Sequence, residues 1–177
     1  EGRPPALTEA GEAAGQVLLC QAQPDGDAEV EVQEVEEARD IVVRTLPVRL
    51  AGTEDLCHDV KRLRLKLPAA ERLQFLAGQY IEVILKDGRR RAFSIANSPL
   101  NDEFLTLHIR HVPGGEFTEH IFQDLKAKEI WNFEGPLGNF YLRDSDRPAL
   151  LVAGGTGLGP IKAILETAFE VGIERDF

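Results

Sequence analysis

Val60-Lys61-Arg62-Leu63-Arg64-Leu65-Lys66-Leu67 alternates apolar and basic residues without a break. Successive side chains of a strand point to opposite faces, so this stretch reads as a half-buried β-strand. The same texture extends on both sides. Residues 104–111 alternate again, with Phe104, Thr106, His108 and Arg110 set against Leu105, Leu107 and Ile109. Residues 41–50, 80–85, 89–97, 129–134 and 139–142 complete the set, and Lys86-Asp87-Gly88 reads as a hairpin turn between the second and third of these. Many short strands at this spacing predict an antiparallel barrel or sandwich. One short helix interrupts them over 118–125, preceded by Gly114-Gly115.

Beyond Pro148 the pattern changes. Ala149-Leu150-Leu151-Val152-Ala153 is wholly apolar, as expected of a strand buried on both faces of a parallel sheet. Gly154-Gly155-Thr156-Gly157-Leu158-Gly159 is a tight glycine turn, and Pro160 suits the first position of a helix. Ile161, Ile164, Leu165, Ala168 and Phe169 mark one helical face, and Gly172 fits its stop. This is a single strand–turn–helix unit.

Residues 1–40 differ from the rest. A short helix opened by Thr8 is expected near the start, Pro24-Asp25-Gly26-Asp27 is a turn, and Val30, Val32 and Val35 stand among glutamates in a nearly alternating acidic strand. The segment has too few apolar residues to fold by itself. The 177-residue chain opens on Glu1 and contains no Met, which reads as a piece of a longer parent. Its net charge of −10 points away from nucleic acid and from anionic membrane surfaces as partners. No apolar run is long enough to span a bilayer, and residues 1–16 carry no signal-peptide core, so a cytoplasmic location is expected. Cys20 and Cys57, only two cysteines, read as free thiols of a reducing compartment.

Three clusters carry chemistry. The glycine turn lacks the Lys-Ser/Thr of an ATP-type phosphate loop, because Pro160 and Ile161 follow Gly159. It also lacks the third glycine of the G-x-G-x-x-G dinucleotide fingerprint. A G-G-x-G-x-x-P turn remains, open to a phosphate at the helix N-terminus or to no ligand at all. The second cluster, Arg91-Ala92-Phe93-Ser94, offers a cation, an aromatic plate and a hydroxyl. That is the set a flavin needs; a solvated basic edge, Arg89-Arg90-Arg91, over a core Phe93 is the plainer reading. The third, Gly114-Gly115-Glu116-Phe117-Thr118, opens a helix that Thr118 can cap, either as an anion site or as an ordinary capped helix.

Taken together and in order, these clusters resemble the ferredoxin–NADP⁺ reductase superfamily. The resemblance runs through residues 75–80, 91–97, 108–110, 113–118, 134–138 and 153–157. Within the superfamily it is nearest to bacterial flavin reductases and CDP-6-deoxy-glucoseen reductase-like proteins. The implied architecture is an all-β antiparallel flavin-binding barrel with one short helix over 41–146. The first βα unit of a truncated α/β nucleotide-binding domain follows over 147–177. The implied activity is an NAD(P)H-dependent flavoprotein reductase, passing electrons through FAD to an iron–sulfur cluster or another acceptor, with little turnover expected of this chain alone. FMN fits the same residues as FAD, and NADH fits as well as NADPH. The resemblance assigns Arg91, Ala92, Phe93 and Ser94, with His108, Ile109 and Arg110, to the flavin. It assigns Gly115, Phe117 and Thr118 to its pyrophosphate, and Gly155, Thr156, Gly157 and Pro160 to the nicotinamide nucleotide. Phe93 stands where the family usually has Tyr, so one hydroxyl is lost.

Residues 1–40 then resemble the C-terminal part of a [2Fe–2S] ferredoxin domain with its linker. Cys20 would be a cluster ligand in the parent, where the other three ligands come from an upstream loop that this chain lacks. A redox partner protein is a further implied partner. The alternatives are the reductase component of a multicomponent oxygenase and a non-catalytic flavin-binding or docking module. His58 and Asp59 read as turn residues. His108, His111 and His120 lack ligand spacing, so no metal is expected within this chain, and no side chain needs to act as a catalytic base.

Overall fold

The structure, a computed structural model, describes residues 7–18, 22–23, 25–27, 29 and 40–177. The chain divides into two compact units, Glu1–Glu34 and Val35–Phe177. In the first, helix α1 (Glu9–Ala13) opens where expected, with the Thr8 hydroxyl accepting from the Gly11 N–H at 3.1 Å. Cys20 and the acidic strand expected around Val30, Val32 and Val35 lie outside the described residues.

The second unit is built on six antiparallel strands: β1 (Arg44–Cys57), β2 (Val60–Lys66), β3 (Tyr80–Ile84), β4 (Arg90–Ser94), β5 (Leu105–Arg110) and β6 (Ile130–Leu137). Their spatial order is β4-β3-β6-β1-β2-β5. The two outer strands meet where Ile95 bridges Leu107 and the Ala96 N–H donates to the Thr106 carbonyl at 2.8 Å. That contact brings the two end strands together and closes the sheet into a barrel at this point.

The expected alternation sets the inward face. Leu46, Val48 and Leu50 of β1, Leu63 and Leu65 of β2, Ile81 and Val83 of β3, Leu105, Leu107 and Ile109 of β5 and Phe133 of β6 fill the barrel. Each such side chain contributes about 1.5–3 kcal/mol by leaving water. The Lys86–Gly88 turn forms as expected: the Leu85 N–H donates to the Arg89 carbonyl, and Gly88 takes φ +85°.

Several expectations are corrected. β1 is longer than 41–50, running to Cys57, because its outer half pairs only with β2. Residues 139–142 are not a strand. Gly138 at φ +89° turns the chain out of the ladder, and the Phe140 carbonyl then packs against Gly78. The helix of 118–125 begins earlier, as α2 (Glu116–Glu119), and widens into a π-helical turn, His120–Asp124.

Residues 149–153 are not a strand either. They join no ladder, with Leu150 90% and Val152 80% exposed, because no second parallel strand is present among the described residues to pair with them. A 3₁₀ turn (Gly155–Gly157) leads into α3 (Leu158–Glu170), so Pro160 is the third helical residue rather than the first. It still lies in the first turn, where no N–H is needed. Ile161, Ala163, Ile164 and Ala168 are buried, whereas Phe169 is exposed. Gly172 stops the helix as expected, with Ile173 N–H reaching back to the Ala168 carbonyl at 2.8 Å.

Candidate functional site

Ladder register decides which way the Arg91–Ser94 side chains face. Arg91 pairs with Val83 and Phe93 with Ile81, so both project from the core side of β4 at the barrel rim. Ala92 and Ser94 pair with Glu82 and Tyr80 on the outer face. Arg91 and Phe93 thus share one face and Ser94 lies on the other. Phe93 is half-buried and its ring lies 5.5 Å from that of Phe117.

The three consecutive arginines have different partners. Arg89 is ion-paired with Asp87 and with Glu116 of α2. Arg90 reaches Glu134 at 2.6 Å and Glu82 at 3.2 Å on the outer face. Hydrogen bonding to Arg90 holds the Glu134 carboxyl below its usual range. Arg91 is exposed, bonds only the Arg90 carbonyl at 2.8 Å, and has no carboxylate partner among the described residues. It is the cation of the three that remains available to an anionic ligand.

Helix α2 lies at the same rim, held by the Arg89–Glu116 pair and the Phe93–Phe117 contact. Its N-cap is Gly115, and Thr118 does not cap it as expected. The Thr118 hydroxyl instead accepts from the Val112 N–H at 3.1 Å and stands 3.0 Å from the carbonyls of Val112 and Gly115. It braces the Val112–Gly115 loop. A Cβ on Gly115 would lie 2.8 Å from this hydroxyl, so only glycine fits there. Glu119 anchors the other side, accepting from the Gly114 N–H at 3.0 Å. That bond, with its contacts to His111 and Gln123, holds its carboxyl below the usual range.

The glycine turn lies against β5. A Cβ on Gly155, at φ +55°, would stand 3.6 Å from Arg110 Nη1, and one on Gly159 would stand 3.2 Å from Ala96 and 3.6 Å from His108 Nδ1. Gly154 and Gly157 face open space, and no side chain caps the turn. The N-terminus of α3 is thus presented bare, the arrangement that accepts a phosphate. Arg110 is held by Asp59, Nε to Oδ2 at 2.7 Å. Burial, then the charges of Lys162 and Arg62, push the His108 imidazole below its ordinary value, which favours the neutral ring. Arg62, opposite His108 in the ladder, keeps a buried Nε with no acceptor among the described residues.

The structure therefore brings together two groups of expected residues: Arg91, Phe93, Gly115, Phe117 and Thr118 at the rim, and His108, Arg110, Gly155, Thr156, Gly157 and Pro160 at the β5–α3 junction. Ile109 and Phe117 are buried in the core, so only their backbone can meet a ligand. Three residues were missed. Lys162 Nζ reaches the Ala96 carbonyl at 3.3 Å. Glu170 accepts from Ser98 Oγ and Asn101 Nδ2, both at 2.6 Å, tying the end of α3 to the loop after β4. Buried Asn97 accepts from the Thr106 N–H at 2.8 Å and donates to the Asn101 carbonyl at 2.9 Å. The only signal for Asn97 is its place at the end of the 91–97 motif; Lys162 has a local partner in Glu166, but its contact with Ala96 and those of Glu170 with Ser98 and Asn101 span too much of the chain to leave one.

A model of the oxidoreductase FAD-binding domain matches residues 47–141. The chain is 37% identical over 169 residues to the CDP-6-deoxy-L-threo-D-glycero-4-hexulose-3-dehydrase reductase of Yersinia pestis, covering 96% of this chain and 51% of that protein. It is also 37% identical to reductase component 2 of the terephthalate 1,2-dioxygenase of a Comamonas species, covering 93% and 49% respectively. Among solved structures, a cytochrome P450 reductase from Amycolatopsis superposes with a TM-score of 0.72 at 36% identity, covering 96% of this chain and 52% of that one. The chain spans about half the length of the curated relatives it matches.

Proposed function

The chain belongs to the oxidoreductase FAD-binding domain family, and on that premise we propose that residues 41–146 hold FAD at the barrel rim, as the electron-transfer module of an NAD(P)H-dependent reductase. The observation that carries this is the unequal commitment of the arginines: Arg89 and Arg90 are neutralised by carboxylates and Arg91 is left for the flavin phosphate. The first turn of α2 adds the backbone N–H groups of Glu116, Phe117 and Thr118. Phe93 supplies an apolar flank and Ser94 a hydrogen-bonding hydroxyl. Bound there, the flavin supplies exchange between two-electron and one-electron chemistry; the protein supplies alignment.

Residues 147–177 begin the nicotinamide nucleotide site. The bare turn Gly155–Gly157 takes the nucleotide's phosphates, with Arg110 and Pro160 beside it. Residues 1–40 are the end of a [2Fe–2S] ferredoxin domain, with Cys20 a cluster ligand in the complete protein. The similarity to the Yersinia relative covers 96% of the chain and so reaches into this segment. The complete protein would pass electrons from NAD(P)H through FAD to that cluster or to a redox partner protein. The likeness to a dioxygenase reductase component favours one second reading, the reductase of a multicomponent oxygenase. No described helix is long and apolar enough to cross a membrane. The exposed free thiol of Cys57 fits a reducing compartment, and the cytoplasm is the proposed location.

Titration of FAD fluorescence against the purified chain tests the reading. Saturable binding at one site per chain, weakened by Arg91→Ala, supports it. Absence of binding, or equal affinity of the variant, overturns it.

A further inference from the structure

The tip of the β1–β2 hairpin gathers three different metal-binding donors. Cys57 ends β1 and pairs with Val60, so His58 and Asp59 form a two-residue turn. The ladder register shifts between Asp55 and Cys57, leaving Leu56 without a partner. A bulge of this kind re-aims the side chains next to it. Cys57 Sγ ends 3.1 Å from Asp59 Oδ1, and His58 Nε2 lies 3.8 Å from the same oxygen. One donor atom from each of the three side chains lies within 4.8 Å of the others.

These separations suit a metal ion. Ligands bound at about 2.0–2.3 Å around a tetrahedral zinc stand roughly 3.3–3.5 Å apart. The Cys57–Asp59 and His58–Asp59 separations depart from that by about 0.5 Å or less, and His58 is exposed at the turn, free to close the gap. Asp59 divides its two oxygens. Oδ2 accepts from Arg110 Nε, while Oδ1 faces the thiol and the imidazole. A metal-binding carboxylate is commonly oriented by such a bond from outside the ligand set. The nearby cation Lys61 is paired with Asp55, away from Oδ1. A thiol, an imidazole and one carboxylate form a mixed sulfur, nitrogen and oxygen set, which selects zinc-like ions over calcium or magnesium.

We propose that Cys57, His58 and Asp59 form a binding site for one zinc-class divalent ion, with the fourth coordination position open to water. On binding, the thiol gives up its proton to solvent and its hydrogen bond to Asp59 is replaced by metal bonds to both groups. Through Asp59 and Arg110 the ion sits one carboxylate and one guanidinium from the glycine turn at Gly155.

Cobalt(II) titration of the full chain tests this, because tetrahedral thiolate–cobalt complexes absorb strongly and zinc displaces the cobalt. One cobalt per chain is expected, with a thiolate charge-transfer band that zinc abolishes. The band should persist in Cys20→Ser and vanish in Cys57→Ser. His58→Ala and Asp59→Asn should each bind about tenfold more weakly or worse, since even losing an outer-shell partner costs that much. No band, a band that survives Cys57→Ser or one lost in Cys20→Ser overturns the assignment. Unchanged affinity in either His58→Ala or Asp59→Asn overturns the three-ligand site.

Discussion

The rings of Phe93 and Phe117 meet at 5.5 Å between centroids, tilted by 40°, and Trp131 continues the contact edge-on to Phe117 at the same spacing. One ring comes from the Arg91–Ser94 strand and the other from the Gly115–Thr118 helix. Two motifs separated by a whole strand and its loops are thereby fixed to one another. The groups proposed to bind the flavin phosphate and to flank its ring are tied together by this contact, so whatever loosens it should loosen both. Phe117→Ala should cost about 3–5 kcal/mol of stability, the usual range for emptying a buried aromatic site. Chemical denaturation measures it, and FAD affinity should fall in parallel.

Arg91→Ala should weaken FAD binding roughly 10- to 150-fold, the loss expected for one charge-assisted hydrogen bond. Arg90→Ala is the matched control. Its guanidinium is already bound to Glu134 and Glu82, so flavin affinity should hold while thermal stability falls. Fluorescence titration of the two variants side by side separates a binding cation from a structural one.

Ser98 is fully buried, and its hydroxyl donates to Glu170. Glu170→Ala strands that hydroxyl and should cost about 1–3 kcal/mol. Ser98→Ala in the same background should then add little, giving a coupling of roughly 0.5–3 kcal/mol in a double-mutant cycle. Additive losses would show that the two groups do not act together.

His108 predicts a pH dependence. Its folded-state value is depressed below the ordinary 6.5, chiefly by burial, so the unfolded chain binds the proton more readily. The neutral ring's contribution is complete above about pH 6.5 and is lost as pH falls through the lowered folded value. Unfolding free energy measured from pH 8 to pH 5 should fall more steeply in the natural protein than in His108→Gln.

Gly78 lies at φ +105°, and a Cβ there would stand 2.2 Å from the Phe140 carbonyl oxygen. Gly78→Ala combines backbone strain with a clash against main chain, and should cost about 3 kcal/mol or more. Circular-dichroism melts give the shift.

The barrel was legible because a half-buried strand repeats every two residues, as Leu63, Leu65, Leu105 and Leu107 do. The run 149–153 misled for the opposite reason. Continuous apolarity reports a preference for burial and says nothing about whether a neighbouring strand is present, and Leu150 lies in water. The three site clusters could be found from their residue types, yet which arginine stays free depends on Glu116, Glu134 and Glu82 arriving from other elements. Glu170 and Ser98 are 72 residues apart, and nothing local in either marks the other. The π-helical widening after Glu119 likewise has no Gly or Pro in His120–Asp124 to announce it.

The exposed run at 149–153 also has a colloidal consequence. It exposes the large apolar side chains of Leu150 and Val152, the kind of surface that sticks to its own copies. Against it stands a net charge of −10, which keeps copies apart at low ionic strength. Salt removes the repulsion and leaves the adhesion, since the screening length contracts from about 10 Å at 0.1 M to about 3 Å at 1 M. Light scattering should therefore rise with sodium chloride, and Leu150→Lys with Val152→Lys should keep the solution clear.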